Sequence, residues 1–284
     1  MNKITILINC SDLQGIIAAV TNFILSQNGN IVYIDQYVDT EHDVFFMRLE
    51  SEFANNNFST DAFKKVFKDT LCDKFNMKWR IYSSEIKPKM ALFVSKYDHC
   101  LYDILSRYNS GELNLEIPFI ISNHKTLEYI AKNFNIPFYH IPVNKDNKAD
   151  AEDQQLELLQ AHNIDFIVLA RYMQIVSGKL IKRYPNKIIN IHHSFLPAFV
   201  GAKPYHSAHK RGVKIIGATS HYATEELDAG PIIEQDVTRI SHTNNIKDLI
   251  AKGRDLEKIV LANAIKLHAN RKVMVFNNKT VIFS

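Results

Sequence analysis

From Met90 to Ala170 short apolar runs alternate with stretches of helical period, and that alternation admits few folds. Strand patterns at 90–94, 119–121, 138–141 and 166–170 are separated by helix patterns at 98–108, 126–134 and 151–162. Strands joined through helices pair in parallel, so the expected fold is α/β, a doubly wound, mostly parallel Rossmann-like sheet. Apolar runs at 187–191 and 215–221 extend the sheet, an amphipathic helix from Asn245 through Leu267 closes it, and a last hairpin turns at Asn277-Asn278. In such sheets the ligand crevice lies outside the carboxyl ends of the strands.

The first 84 residues read differently. A strand at 4–8 leads to a helix with Leu13, Ile16, Ile17, Val20, Phe23 and Ile24 at helical spacing, and Cys10, Ser11 and Asp12 offer capping groups before it. Strands at 31–38 and 44–50 follow, then a helix with Phe63, Val66, Phe67 and Leu71 on one face and a strand carrying Met77, Trp79 and Ile81. The order βαββαβ predicts a ferredoxin-like four-stranded sheet with both helices on one face and the other face needing cover. Pro88 lies in the polar connector 83–89, so two domains are expected, residues 1–84 and 85–284.

Two strand exits carry the polar residues that can do chemistry. In the run 188–193, side chains alternate faces, so Asn190 and His192 point one way and Ile191 and His193 the other. The strand ending at His221 is followed by a loop with Asp228 and then Gly230-Pro231. An amide, an imidazole and a carboxylate together supply a donor, a group that titrates near neutrality and a base. The plain alternative is that Asn190 and His192 are turn residues bonded to local backbone. His193 and His221 are either structural or orient His192 or Asp228. His206 and His209 stand at i, i+3 on a helix pattern, but no third ligand is at hand and no metal is expected.

Composition excludes several classes. The balance of 34 basic and 30 acidic residues gives a net charge of +4 in 284 residues, too small to argue for a nucleic-acid partner. Cys10, Cys72 and Cys100 show no paired spacing and are expected to be free thiols in a reducing compartment. The amino terminus enters a strand directly and no apolar run is long enough to span a bilayer, so a cytoplasmic, soluble protein with no membrane partner is expected.

Taken together, Asn190-Ile-His192, Ser194 to Pro197, His221 and Leu227-Asp228-x-Gly230-Pro231 resemble the folate-dependent formyltransferase family. Gly201-Ala-Lys-Pro-Tyr-His206, Gly217-Ala-Thr-Ser-His-Tyr222 and Asp98-His99-Cys100-Leu101 are similar to its hydrolytic branch. The resemblance implies hydrolysis of a 10-formylated tetrahydrofolate, releasing formate for purine synthesis and balancing folate pools, with no separate cofactor. It implies Asn190 and His192 holding the formyl oxygen and Asp228 taking the proton of water. It also implies a pterin pocket formed by Met173, Gln174, Ile175 and Val176, with His221 beside it and Ala223, Thr224, Glu225 and Leu227 closing the other side. Met173 and Ile175 can alternatively be core packing. Transferases that use glycinamide ribonucleotide have a glycine-rich loop after the first strand of this domain; here Ser95 to His99 holds no glycine, none follows until Gly111, and water is the expected acceptor. Formyl transfer to an amine acceptor is the rival reading.

The N-terminal unit, with Asp12-Leu-Gln14-Gly15 entering a helix and Gly29-Asn30-Ile31 entering a strand, resembles the ACT regulatory domain. That resemblance implies an amino-acid effector at Asp12, Gln14, Gly15, Asn30 and Ile31, and a homo-oligomer. Singly, Gly15 can simply ease helix packing and Asp12 simply cap. A third reading is a ligand sensor whose α/β domain is inactive.

Overall fold

The computed structural model describes residues 2–54, 58–197 and 204–284. The chain divides into two compact units, one of residues 1–87 with 271–274 and 281–284, the other of 88–270 with 275–280. A single cut at 84/85 therefore misses the return of the carboxyl terminus.

In the first unit the elements are β1 (Asn2–Ser11), α1 (Ile16–Ser26), β2 (Gly29–Asp39), β3 (Val44–Phe53), α2 (Thr60–Phe67), a π turn at Lys68–Cys72, α3 (Asp73–Phe75) and β4 (Lys78–Ser83). The strands form an antiparallel sheet in the order β2-β3-β1-β4, as the ferredoxin-like reading requires. Alternate residues of β1 and β3 pack under Ile16, Val20, Phe23 and Ile24 of α1 and Phe63 and Phe67 of α2. Leu13 and Ile17 were expected on that face but are exposed, because α1 begins only at Ile16 and Ile17 lies off the buried stripe; Val66 is exposed for the same reason. Gly15, in a left-handed conformation, is the N-cap and no side chain caps α1, so Asp12 does not. The opposite sheet face buries Leu7, Phe46 and Arg48. Arg48 Nε donates to the Arg271 carbonyl at 3.0 Å, Tyr33 Oη donates to the Ser284 carbonyl at 2.7 Å, and Phe283 is buried. Since the chain's own end contributes to this cover, an open face no longer argues for a second copy.

The second unit contains β5 (Met90–Val94), α4 (His99–Asn109), β6 (Ile120–Ser122), α5 (Glu128–Asn133), β7 (Phe138–His140), α6 (Lys148–Ala161), β8 (Phe166–Ala170), α7 (Gly178–Arg183), β9 (Ile188–His192), α8 (Pro204–Arg211), β10 (Ile215–Tyr222), β11 (Ile232–Arg239) and α9 (Ile246–Ala269), with β12 (Val273–Phe276) and β13 (Lys279–Ile282) forming the terminal hairpin. Its seven-stranded sheet runs β11-β10-β9-β8-β5-β6-β7, and β5 to β9 are parallel. The two strands that follow break the pattern: β10 is antiparallel to β9 and β11 to β10. Strand β11, unforeseen as a strand, is the edge whose outer residues stay exposed. After β7 the chain crosses back over β5 to lay down β8, so the order reverses between β5 and β8, and the crevice belongs there. Among the described residues no helix is long and apolar enough to cross a membrane.

Candidate active site

Strand β9 delivers Asn190 and, at its last position, His192 to one side, and His193 follows just past its end, its ring stacked on that of His192. On the adjacent β10 the register sets His221 opposite Asn190. The loop after β10 returns Asp228 in left-handed backbone, φ 56°, a conformation that short polar side chains tolerate best. Gly230 permits that return, since a Cβ there would lie 1.8 Å from the Tyr222 carbonyl oxygen.

These loops bring the expected catalytic groups together. Asp228 Oδ2 lies 3.2 Å from His192 Nδ1 and Oδ1 lies 3.5 Å from His221 Nε2. The bond from His192, then that from His221, hold the Asp228 carboxyl well below the usual carboxylate range against the opposing effect of burial. His221 Nδ1 faces the Tyr222 carbonyl at 3.0 Å and therefore carries a proton. Its Nε2 also lies 3.2 Å from Asn190 Nδ2. One ring nitrogen serves only one of these neighbours at a time: unprotonated it accepts from the amide, protonated it donates to the carboxylate. His192 Nε2 is buried with no protein partner, although His192 lines the cavity.

That cavity has a volume of about 380 Å³. Met173, Gln174, Ile175 and Val176 line it from the loop after β8, and Ala223, Thr224, Glu225 and Leu227 from the loop after β10, with Asn190, His192, His221 and Asp228 among its walls. Met173 is 52% and Ile175 62% exposed, which rules out the core-packing alternative for both. Buried polar groups hold that loop from beneath: the Met173 N–H donates to Ser95 Oγ at 3.0 Å, and the Ser177 N–H to Glu152 Oε1 at 2.8 Å. Ser95 in turn donates to Asn123 Oδ1 at 2.6 Å, so the glycine-free segment after β5 serves as a support for this loop.

A second buried polar cluster went unforeseen. Arg171 follows β8 in left-handed backbone, φ 61°, and its Nη1 lies 2.7 Å from His193 Nδ1. Glu257 of α9 receives His99 Nε2 and Tyr205 Oη, both at 2.8 Å, and pairs with Arg171 at 3.4 Å. Gly253 makes room for it, because a Cβ there would strike the Tyr205 hydroxyl. The available signal was an acidic residue within the apolar stripe of α9. Groups close enough together to hold an ion, among the described residues, are His99, Cys100 and Glu257, and Asp39, Glu41 and His42; neither contains His206 or His209. Of the motif 201–206, residues 201–203 lie outside the described residues.

A sheet with its order reversal under a pocket, and an Asn, a His and an Asp gathered at its rim, defines the class. Residues 88–265 match the formyl transferase family model. Over 280 residues the chain is 50% identical to the formyltetrahydrofolate deformylase of Synechocystis sp., covering 99% of this chain and 98% of that protein. It is 45% identical to the formyltetrahydrofolate deformylase of Bacillus subtilis over 285 residues, covering 100% and 94%. A crystal structure of a formyltetrahydrofolate deformylase from Pseudomonas syringae pv. tomato superposes with a TM-score of 0.97 at 46% identity, covering 100% of this chain and 95% of that one. The chain thus belongs to the formyl transferase family and, along its whole length, to the formyltetrahydrofolate deformylases within it.

Proposed function

We propose that this protein hydrolyses 10-formyltetrahydrofolate to formate and tetrahydrofolate. The observation that carries the reading is the buried His192 Nε2, left without a protein partner at the pocket while Asp228 holds the ring's other nitrogen. In the neutral ring Nδ1 donates to Asp228, so Nε2 keeps a lone pair for the proton of the attacking water. The water oxygen bonds to the formyl carbon, the carbonyl electron pair moves onto the formyl oxygen, and the Asn190 amide turns from His221 to donate to that oxyanion. Collapse breaks the carbon–nitrogen bond, and the departing folate nitrogen takes the proton from the His192 imidazolium. The formic acid loses its proton to solvent as formate.

This assignment moves the base from Asp228, where the sequence resemblance put it, to His192. Asp228 is too acidic and too engaged with two imidazoles to take a proton from water, and its charge stabilises the imidazolium instead. Exposed Met173, Ile175 and Leu227 offer apolar contact to a flat heterocycle, and Asn190, His192 and His221 meet its reacting end. The reaction needs no separate cofactor or metal, and the formate enters one-carbon and purine synthesis. Formate release from 10-formyltetrahydrofolate with no amine present is the expected result; efficient formylation of glycinamide ribonucleotide instead would establish the transferase.

The N-terminal unit is, in this proposal, an ACT-type site for an amino acid. Gly15 in left-handed backbone leaves α1 without a side-chain cap, but Asn30, opposite Glu52 and level with Lys3, lies at the other end of the sheet from Asp12, whose N–H bonds to Asp43, so a single chain does not bring the two expected effector motifs together. Exposed Val32 and Ile34 on the edge strand β2 support self-association. Calorimetry of the full chain against the twenty amino acids and sedimentation at two concentrations test both; no heat and a monomer would remove them.

A further inference from the structure

Arg171 and His193, which line the cavity beside His192, have no role in the steps above. His193 stacks on His192 with ring centroids 5.3 Å apart and planes at 29°. A guanidinium only donates, so the 2.7 Å contact from Arg171 Nη1 requires a lone pair on His193 Nδ1 and places the ring proton on Nε2. A protonated His193 would lose that bond and set a second cation against Arg171. Arg171 itself is fixed: Glu257 pairs with it, the Tyr97 ring lies under its guanidinium at 4.9 Å, and its side chain is 10% exposed. Its left-handed backbone is unfavourable for a long side chain, and such strain persists where surrounding structure demands the geometry.

We propose that Arg171 is a positioning residue for the hydrolysis, locking His193 as a neutral ring so that His192 alone bears the charge that forms and disappears in each turnover. This rests on the proposed hydrolysis, in which the His192 imidazolium is the intermediate charge. Two stacked imidazoles 5.3 Å apart cannot both be cations without opposing each other. The groups facing this pair are Asp228 and His221 from the β10 side, Arg171 after β8, Tyr205 on α8 and Glu257 on α9. Burial and then Arg171 push His193 down to about 4, consistent with a ring kept neutral over the working range.

The test has one readout that requires no substrate. Nitrogen-15 correlation spectra of the full-length protein should show His193 neutral, protonated on Nε2, from pH 8 to about 5, and in Arg171→Gln the titration of the same ring should move up from its wild-type position while staying below the ordinary histidine value of about 6.5, because burial, the larger cause, remains. The variant's kcat should fall at least about tenfold with KM changed less than about twofold, and the loss should deepen on the acid side as His193 becomes charged. Arg171→Lys, which can still donate one hydrogen bond, should restore part of kcat. Arg171→Gln/His193→Phe, whose ring cannot titrate, should remove the extra acid-side loss. A wild-type His193 that titrates near 6.5 overturns the proposal even if Arg171→Gln does not fold. So does a variant whose activity loss is the same at every pH. If the wild type releases no formate, the hydrolysis reading fails, while the spectra still decide the state of His193.

Discussion

His192 Nδ1 stands 3.2 Å from Asp228 Oδ2, and this contact ties the end of β9 to the loop after β10. It fixes the imidazole tautomer, leaving Nε2 without a protein partner. Asp228→Asn replaces an anion that stabilises the imidazolium with an amide that does not. Turnover is expected to fall by about 10²–10⁴, the range of general acid–base assistance, in a protein that still folds but melts at a lower temperature, having lost the bonds of the carboxylate. Steady-state formate release and a melting curve check this; wild-type turnover in the variant would place the essential carboxylate elsewhere, with Glu225 and Glu226 the nearest alternatives in the loop.

Much of this centre was legible in the sequence because it depends on short-range rules. Alternation along 188–193 sets Asn190 and His192 on one face, and the Gly230-Pro231 turn announces a tight return beside Asp228. Glu257 and Arg171 were not legible, since they meet across 86 positions of chain (257 − 171) and only tertiary packing joins α9 to the exit of β8. The antiparallel β10 and β11 escaped for a related reason: a short apolar run shows that a strand exists but not its direction. In the N-terminal unit, helical spacing placed Val20, Phe23 and Ile24 correctly but not Leu13, which precedes the true start of α1.

The acidity of Asp228 predicts how stability depends on pH. Its folded value is depressed, chiefly by His192 and then His221, so its stabilisation is fully present above the unfolded value of about 3.9 and is lost as pH falls through the folded one. The difference in melting temperature between wild type and Asp228→Asn should therefore be constant from pH 5 to 8 and shrink below about pH 4. A difference that already changes between pH 5 and 7 would mean an ordinary or raised carboxyl.

Asn190 and His192 carry unequal duties in the proposed reaction. Asn190 only donates to the oxyanion, and removing one such donor costs about 10²–10³ in rate. His192 takes the proton of water and returns it to the departing nitrogen. His192→Ala is expected to lose more kcat than Asn190→Ala, and neither variant should gain transfer to glycinamide ribonucleotide, because the Ser95 to His99 segment has no glycine and its Ser95 is committed to Asn123 and Met173. Formate release and amine formylation measured side by side decide this; an Asn190→Ala loss equal to or larger than that of His192→Ala would return the proton transfers to another group.

Gly230 tests positioning without replacing a polar side chain. A Cβ at this position would meet the Tyr222 carbonyl oxygen at 1.8 Å and the Thr224 methyl at 3.1 Å, so the loop has to move, and Asp228 is two residues away. The two Asp228 contacts, at 3.2 and 3.5 Å, do not survive a displacement of an ångström. Gly230→Ala is therefore expected to reduce kcat toward the Asp228→Asn level, and to raise KM for the folate as well, since Leu227 on the same loop lines the pocket. Gly111→Ala is the control: its φ of +79° makes alanine strained, at a cost of about 1 kcal/mol, but nothing lies within 4 Å of the added Cβ. That variant should lose stability and keep its kcat. If Gly230→Ala retains wild-type kcat, Asp228 reaches His192 without the close turn, and the loop geometry does not set the rate.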